Sequence, residues 1–199
     1  MAKNDCRTKL MEIGTRLFAE RGLHGVSIRE LSQEAGASIS MISYYFGGKE
    51  GLYSAVLQEQ FACFDQIEEI RKQGAEPLDV IEGYIRWTLQ RHRNNPYLLR
   101  FYTSELTNPT LWFHTIVQPA IEKIIRILID VLDDGIRRQQ FRKELHTGNA
   151  ALALAGMANY FFLSTLATEN LVSHSAENDE ELIRQYAAIF TQGILASPP

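Results

Sequence analysis

The sequence predicts an all-α fold, and three observations carry the prediction. Apolar residues recur at three- and four-residue spacing along most of the chain, no long alternating strand pattern occurs, and Gly and Pro fall between the periodic segments. The 199 residues allow one domain or two small ones, and 45% hydrophobic against 22% charged residues is enough to bury a sizeable core.

The first helix is expected over residues 5–21, with Leu10, Ile13, Leu17 and Phe18 on one face. Gly22 stops it and Gly25 lies in the following turn. A second helix opens at Ser27, where Ser-Ile-Arg-Glu reads as a capping box with Glu30 three residues on. Ile28, Leu31 and Ala35 share its apolar face, Gly36 ends it, and Ser38 caps a short third helix to Phe46. Gly47-Gly48 breaks the chain again. A long fourth helix is then expected over residues 49–73, followed by helices over 78–93, 96–106, 109–139, 147–168 and 179–195, with Pro119 kinking or splitting the segment 109–139.

Composition excludes several classes. Cys6 and Cys63 are too few for a disulfide framework, and no C-x-x-C or His/Cys cluster suggests zinc, so neither a metal nor another cofactor is expected. The five His are scattered, and solvated or capping roles suit them better than metal ligation. The opening MAKNDCRTKLMEIG lacks the apolar stretch of a signal peptide, so the expected compartment is the cytoplasm. From 150 to 167 the chain has no charged residue. That run is rich in Ala, which gives little drive for membrane insertion, and it lacks flanking Lys or Arg. It reads instead as a helix buried on two sides, one against its own core and one against a partner.

Three short helices with tight Gly-containing turns make a helix-turn-helix the leading reading of the first 46 residues. The small residues of Glu34-Ala35-Gly36-Ala37-Ser38 let the third helix cross the second. Ile42 and Phe46, four apart, would anchor that third helix against Phe18 and Leu31, leaving Ser38, Ser40, Met41, Ser43 and Tyr44 for an outward face. Formal charge is −4 overall. Residues 1–55 hold seven Lys/Arg against six acids, so the slight excess of positive charge falls on this segment.

Over about residues 5–58 the chain resembles the tetracycline-repressor (TetR) family of bacterial transcription regulators. The resemblance rests on Phe18 with Gly22, Ser27 with Arg29, Ala35-Gly36-Ala37-Ser38, Tyr44-Tyr45-Phe46, and Lys49 with Leu52. It implies an N-terminal DNA-binding domain (1–48), a ligand-binding and dimerisation domain (49–199), and no enzymatic activity. The DNA-binding residues it points to are Ser27, Arg29, Ser38, Ser40, Met41, Ser43, Tyr44, Tyr45 and Lys49. Ser27 and Lys49 stand at helix N-termini, which favour phosphate, and the two Tyr can donate to phosphate oxygens. Arg29, Ser40 and Met41 are candidates for base edges, Arg toward guanine and Met toward a thymine methyl. Arg29 could instead pair with Glu12 or Glu34, and either Tyr could be half-buried packing. Three departures stand out: Ile39 where members often carry a polar or basic residue, Ser43 where a Tyr is common, and Gly47-Gly48 in place of a frequently basic pair.

For the second half the resemblance implies an all-helical domain that dimerises and holds an effector pocket. Small residues Ala151, Ala155, Gly156 and Ala158 allow close approach of helices near 147–168, which with those near 179–195 would form a four-helix bundle across a two-fold axis. Such a homodimer would set two third helices about 34 Å apart, for successive major grooves of an operator. Tyr84, Trp87, Arg91, Phe101, Trp112, His114, Asn159 and Phe162 are the candidate lining of a pocket for a small, largely apolar or aromatic effector; each could equally be ordinary core, and Asn159 could bond across the dimer. The long fourth helix would be the lever between effector and DNA. The rival readings are an all-helical protein-interaction module without sequence-specific DNA binding and, weakest, a helical enzyme using Glu105 and His114.

Overall fold

The computed structural model describes residues 3–62, 65–72 and 76–196, and Cys63 lies outside them. Among the described residues the chain is helical, with one isolated β-bridge pairing Phe141 and Leu195. It divides into two compact units, residues 1–62 with 96–120 and residues 63–95 with 121–199.

The first unit holds α1 (Lys3–Arg21), α2 (Ile28–Ala35), α3 (Ile39–Phe46), α4 (Lys49–Phe61) and α7 (Leu98–Thr107), with a π-helical turn at Phe113–Val117. Its core is Leu10, Leu17 and Phe18 from α1, Leu31 from α2, Ile42 from α3, Leu52, Tyr53, Val56 and Leu57 from α4, and Phe101 from α7. The Phe18 and Tyr53 rings meet edge to face, 5.0 Å apart and at 88°. The expected anchor pair on α3 separates into two roles. Ile42 is fully buried, whereas Phe46 is half-buried beneath the Arg7 guanidinium, 5.4 Å above its ring.

The second unit holds α5 (Asp65–Lys72), α6 (Pro77–Asn94), most of α8 (Gln118–Arg137), α9 (Thr147–Leu163), the short α10 (Thr165–Thr168) and α11 (Asp179–Ile194). α6 packs on α5, α9 and α11. Val80, Ile81, Tyr84, Ile85 and Leu89 of α6 share the core with Leu128, Val131 and Leu132 of α8, Ala151, Leu154, Ala158 and Phe161 of α9, and Ile183 and Phe190 of α11.

Three helix expectations are corrected. The fourth helix stops at Phe61, because Ala62 takes an extended conformation (φ −69°, ψ 161°); its expected end at Gln73 lies outside the described residues. Residues 109–139 hold a turn, the π-helical segment and α8, in that order. Pro119, the second residue of α8, lacks the N–H that would bond the carbonyl four residues back, which suits a locally widened turn. The helix begun at Thr147 breaks at Ser164. Among the described residues no helix is long and apolar enough to cross a membrane.

Candidate nucleic-acid interface

The α2–turn–α3 pair is fixed by caps at both ends of each helix. Ser27 Oγ accepts from Glu30 N at 3.2 Å and Ser38 Oγ accepts from Met41 N at 3.3 Å. Only half of the expected capping box forms at α2, since the Glu30 carboxylate pairs at 2.7 Å with Arg21. That hydrogen bond lowers the Glu30 pKa from the ordinary carboxylate value. Gly36 closes α2 in the left-handed conformation, and its N–H and that of Ala37 satisfy the last carbonyls of the helix. Gly48, at φ 127° and ψ −170°, occupies a region open to glycine alone, so the basic pair common at 47–48 in the family would not fit this α3–α4 turn.

The outward side of α3 carries the expected residues, with their polar atoms partly committed to the helix itself. Ser38 and Ser40 hydroxyls pair at 2.7 Å, and Ser43 Oγ donates to the Ile39 carbonyl at 3.2 Å. Tyr44 is 71% exposed and its ring meets half-buried Tyr45 edge to face at 5.1 Å. Met41 turns partly inward: the buried Cys6 thiol on α1 donates to its sulfur at 3.8 Å. Arg29 is exposed, Glu34 pairs with Arg16, and among the described residues no ion pair joins Arg29 to Glu12 or Glu34. Lys49 departs most from expectation. Its ammonium donates to the Leu23 and Val26 carbonyls, each at 3.0 Å, and so ties the α1–α2 connection to the start of α4. Two of its three donors are thereby engaged inside the protein.

The candidate effector residues fall into two groups. Phe101 and Trp112 pack on Tyr53 in the first unit, at ring distances of 6.2 and 5.7 Å; Phe101 is fully buried and Trp112 half-buried. His114 is exposed on the π-helical turn and bonds Gln118 at 2.7 Å, because the widened turn faces it to solvent. In the second unit Tyr84 and Trp87 are buried side by side at 6.1 Å, with the Arg91 guanidinium 5.2 Å above the Trp87 ring. Asn159 has its oxygen 2.8 Å from His92 Nε2, and its amide donates to the Ala155 carbonyl at 2.8 Å. The His92 and Phe162 rings lie 4.7 Å apart.

Two buried polar residues, Glu105 and His92, have partners that the sequence did not announce. Glu105 is wholly buried and accepts from Tyr53 Oη at 2.6 Å, from Thr110 N at 3.1 Å and from Thr110 Oγ1. Its place at i+7 from Leu98 and i+4 from Phe101 was the signal available. Burial, then Glu105, pushes the Tyr53 phenol far above its ordinary value. His92, expected to be solvated or capping, is buried on the α6 face that carries Ile85 and Leu89. Burial lowers its pKa, Asn159 raises it in part, and Arg91 lowers it further. His146 does cap: its Nδ1 accepts from Asn149 N at the start of α9.

Residues 10–56 match the bacterial regulatory proteins of the tetR family. The HTH-type transcriptional repressor NicS of Pseudomonas putida is 24% identical over 165 residues, covering 81% of this chain and 77% of NicS. Two solved structures share the fold. The ketosteroid transcriptional regulator KstR2 of Mycobacterium tuberculosis superposes with a TM-score of 0.77 at 21% identity, covering 96% of this chain and 95% of its own. The transcriptional regulator FadR of Bacillus subtilis, in complex with stearoyl-CoA, gives 0.74 at 18% identity, covering 94% and 98%. With its capped helix pair, the segment 10–56 is a helix-turn-helix of the tetR-family kind, and the chain is a helix-turn-helix transcriptional regulator.

Proposed function

We propose that the protein is a cytoplasmic, homodimeric repressor that leaves a pseudo-palindromic operator when a small, largely apolar or aromatic effector binds. Residues 1–48 engage DNA, and residues 49–199 hold the effector and the dimer contact. The observation that carries the reading is the two-sided apolar character of α9. Ala151, Leu154, Ala158 and Phe161 face the protein's own core, while Leu152, Gly156, Tyr160 and Leu163, on another side of the same helix, are exposed. Ile189 on α11 is exposed as well. A second copy covering these side chains repeats the α2–α3 pair across a two-fold axis, as a pseudo-palindrome requires.

On the DNA side Arg29, Ser40 and Met41 approach base edges. Ser27, Ser38, Ser43, Tyr44, Tyr45 and the remaining donor of Lys49 approach phosphates. On the effector side the buried Tyr84–Trp87 pair, Arg91 and Phe162 are the lining in the second unit. The acyl chain of the stearoyl-CoA carried by FadR supports an apolar effector class. The switch is a population shift: an effector that binds the DNA-incompetent arrangement 5–150-fold more tightly supplies roughly 1–3 kcal/mol of coupling.

Selection of genomic fragments by the purified dimer, followed by a salt series on the winning duplex, tests the reading. A pseudo-palindrome should emerge, with affinity falling steeply between about 50 and 200 mM salt. Recovery of no sequence-selective duplex would replace the repressor with a protein-interaction module. Native mass spectrometry of the same preparation reads any retained small molecule directly.

A further inference from the structure

The polar inventory of α3 is short for a helix that reads bases. Its sequence, Ile-Ser-Met-Ile-Ser-Tyr-Tyr-Phe, holds no Arg, Lys, Asn, Gln, Asp or Glu, so no side chain on it can make the bidentate contacts that identify guanine or adenine. The hydroxyls offer single contacts to base edges and no bidentate ones. The Ser38–Ser40 pair uses one of its two hydrogens internally, and the hydrogen of Ser43 is on the Ile39 carbonyl. The Met41 sulfur accepts from Cys6, and Ile42 is fully buried. Tyr44 and Tyr45 stand more than a turn along, whereas base edges are met by the N-terminal residues of such a helix.

Beside Ser40 and Met41 at that end stands Ile39. It occupies the first position of α3, is 40% exposed, and is one of the large apolar side chains left open on this unit. A β-branched side chain is stiff about χ1, so its methyl groups are held in place before any duplex arrives. In the major groove the one base feature that an aliphatic group recognises is the C5 methyl of thymine.

The geometry points to Ile39 as a specificity-determining residue that reads the operator by seating its methyl groups against a thymine methyl. This rests on the DNA-binding reading above and adds the base chemistry it selects. It also accounts for an apolar residue at a position where the family often carries a polar or basic one.

The test uses the full-length protein and the duplex it selects, with each thymine replaced singly by deoxyuridine, which removes the methyl and leaves the hydrogen bonds. At one thymine per half-site the replacement should weaken binding about fourfold, the affinity equivalent of one buried methyl. Ile39→Ala should bind the thymine and uracil duplexes equally, and Ile39→Val should retain the discrimination. Deoxyuridine without effect at every position, or discrimination that persists in Ile39→Ala, overturns the inference while the regulator reading stands. Selection of no duplex overturns both.

Discussion

Tyr53 donates its phenol to the Glu105 carboxylate at 2.6 Å, and neither side chain reaches solvent. The bond joins α4 to α7 inside the first unit, and Thr110 supplies the other donors to the same carboxylate. A buried carboxylate that loses a donor keeps its desolvation cost. Tyr53→Phe is therefore expected to lower unfolding stability by about 1–3 kcal/mol in urea titration, with the slope against denaturant unchanged. The folded phenol pKa lies above the unfolded value of about 10, so its contribution is complete below that pH and is lost as pH rises beyond it. Tyr53→Phe should flatten that alkaline loss.

His92 gives the opposite dependence. Burial holds its folded pKa below 6.5, so the folded state carries neutral imidazole while the unfolded chain protonates. Stability linked to this residue is full above about pH 6.5 and falls as pH drops below it. His92→Gln should be less stable at pH 7.5 yet lose less between pH 7.5 and 5.5, as read by urea midpoints.

Lys49 and Arg29 are expected to separate fold from recognition. Lys49→Ala removes the bonds to the Leu23 and Val26 carbonyls and should cost about 1–3 kcal/mol of stability, with DNA affinity falling alongside. Arg29 is exposed, so Arg29→Ala should leave the melting temperature unchanged and weaken operator binding alone. A melting temperature that drops for Arg29→Ala and holds for Lys49→Ala would reverse these assignments.

Gly156 offers a clean probe of the proposed dimer. A Cβ built there meets no heavy atom within 4 Å in the protomer, so Gly156→Leu should leave circular dichroism and monomer stability intact. The same side chain would overpack a close α9–α9 contact and shift the molecule to monomer in sedimentation velocity. A dimer of undiminished affinity would move the interface elsewhere.

The sequence by itself determined the local architecture: α1 to α3, their caps at Ser27 and Ser38, the stop at Gly36, and the family to which the first 56 residues point. Capping, helical periodicity and glycine conformation are properties of neighbours in the chain, so they are legible in order along it. Tertiary structure decided which polar atoms are already engaged. Lys49 looks like a phosphate ligand until the Leu23 and Val26 carbonyls come within reach, and Glu105, which entered only through the enzymatic reading, is closed around by Tyr53 and Thr110. Those partners are as far as 52 residues apart in the chain. A hydrogen bond, unlike a helical repeat, leaves no period in the sequence, because desolvation and donor geometry exist only once the helices have packed.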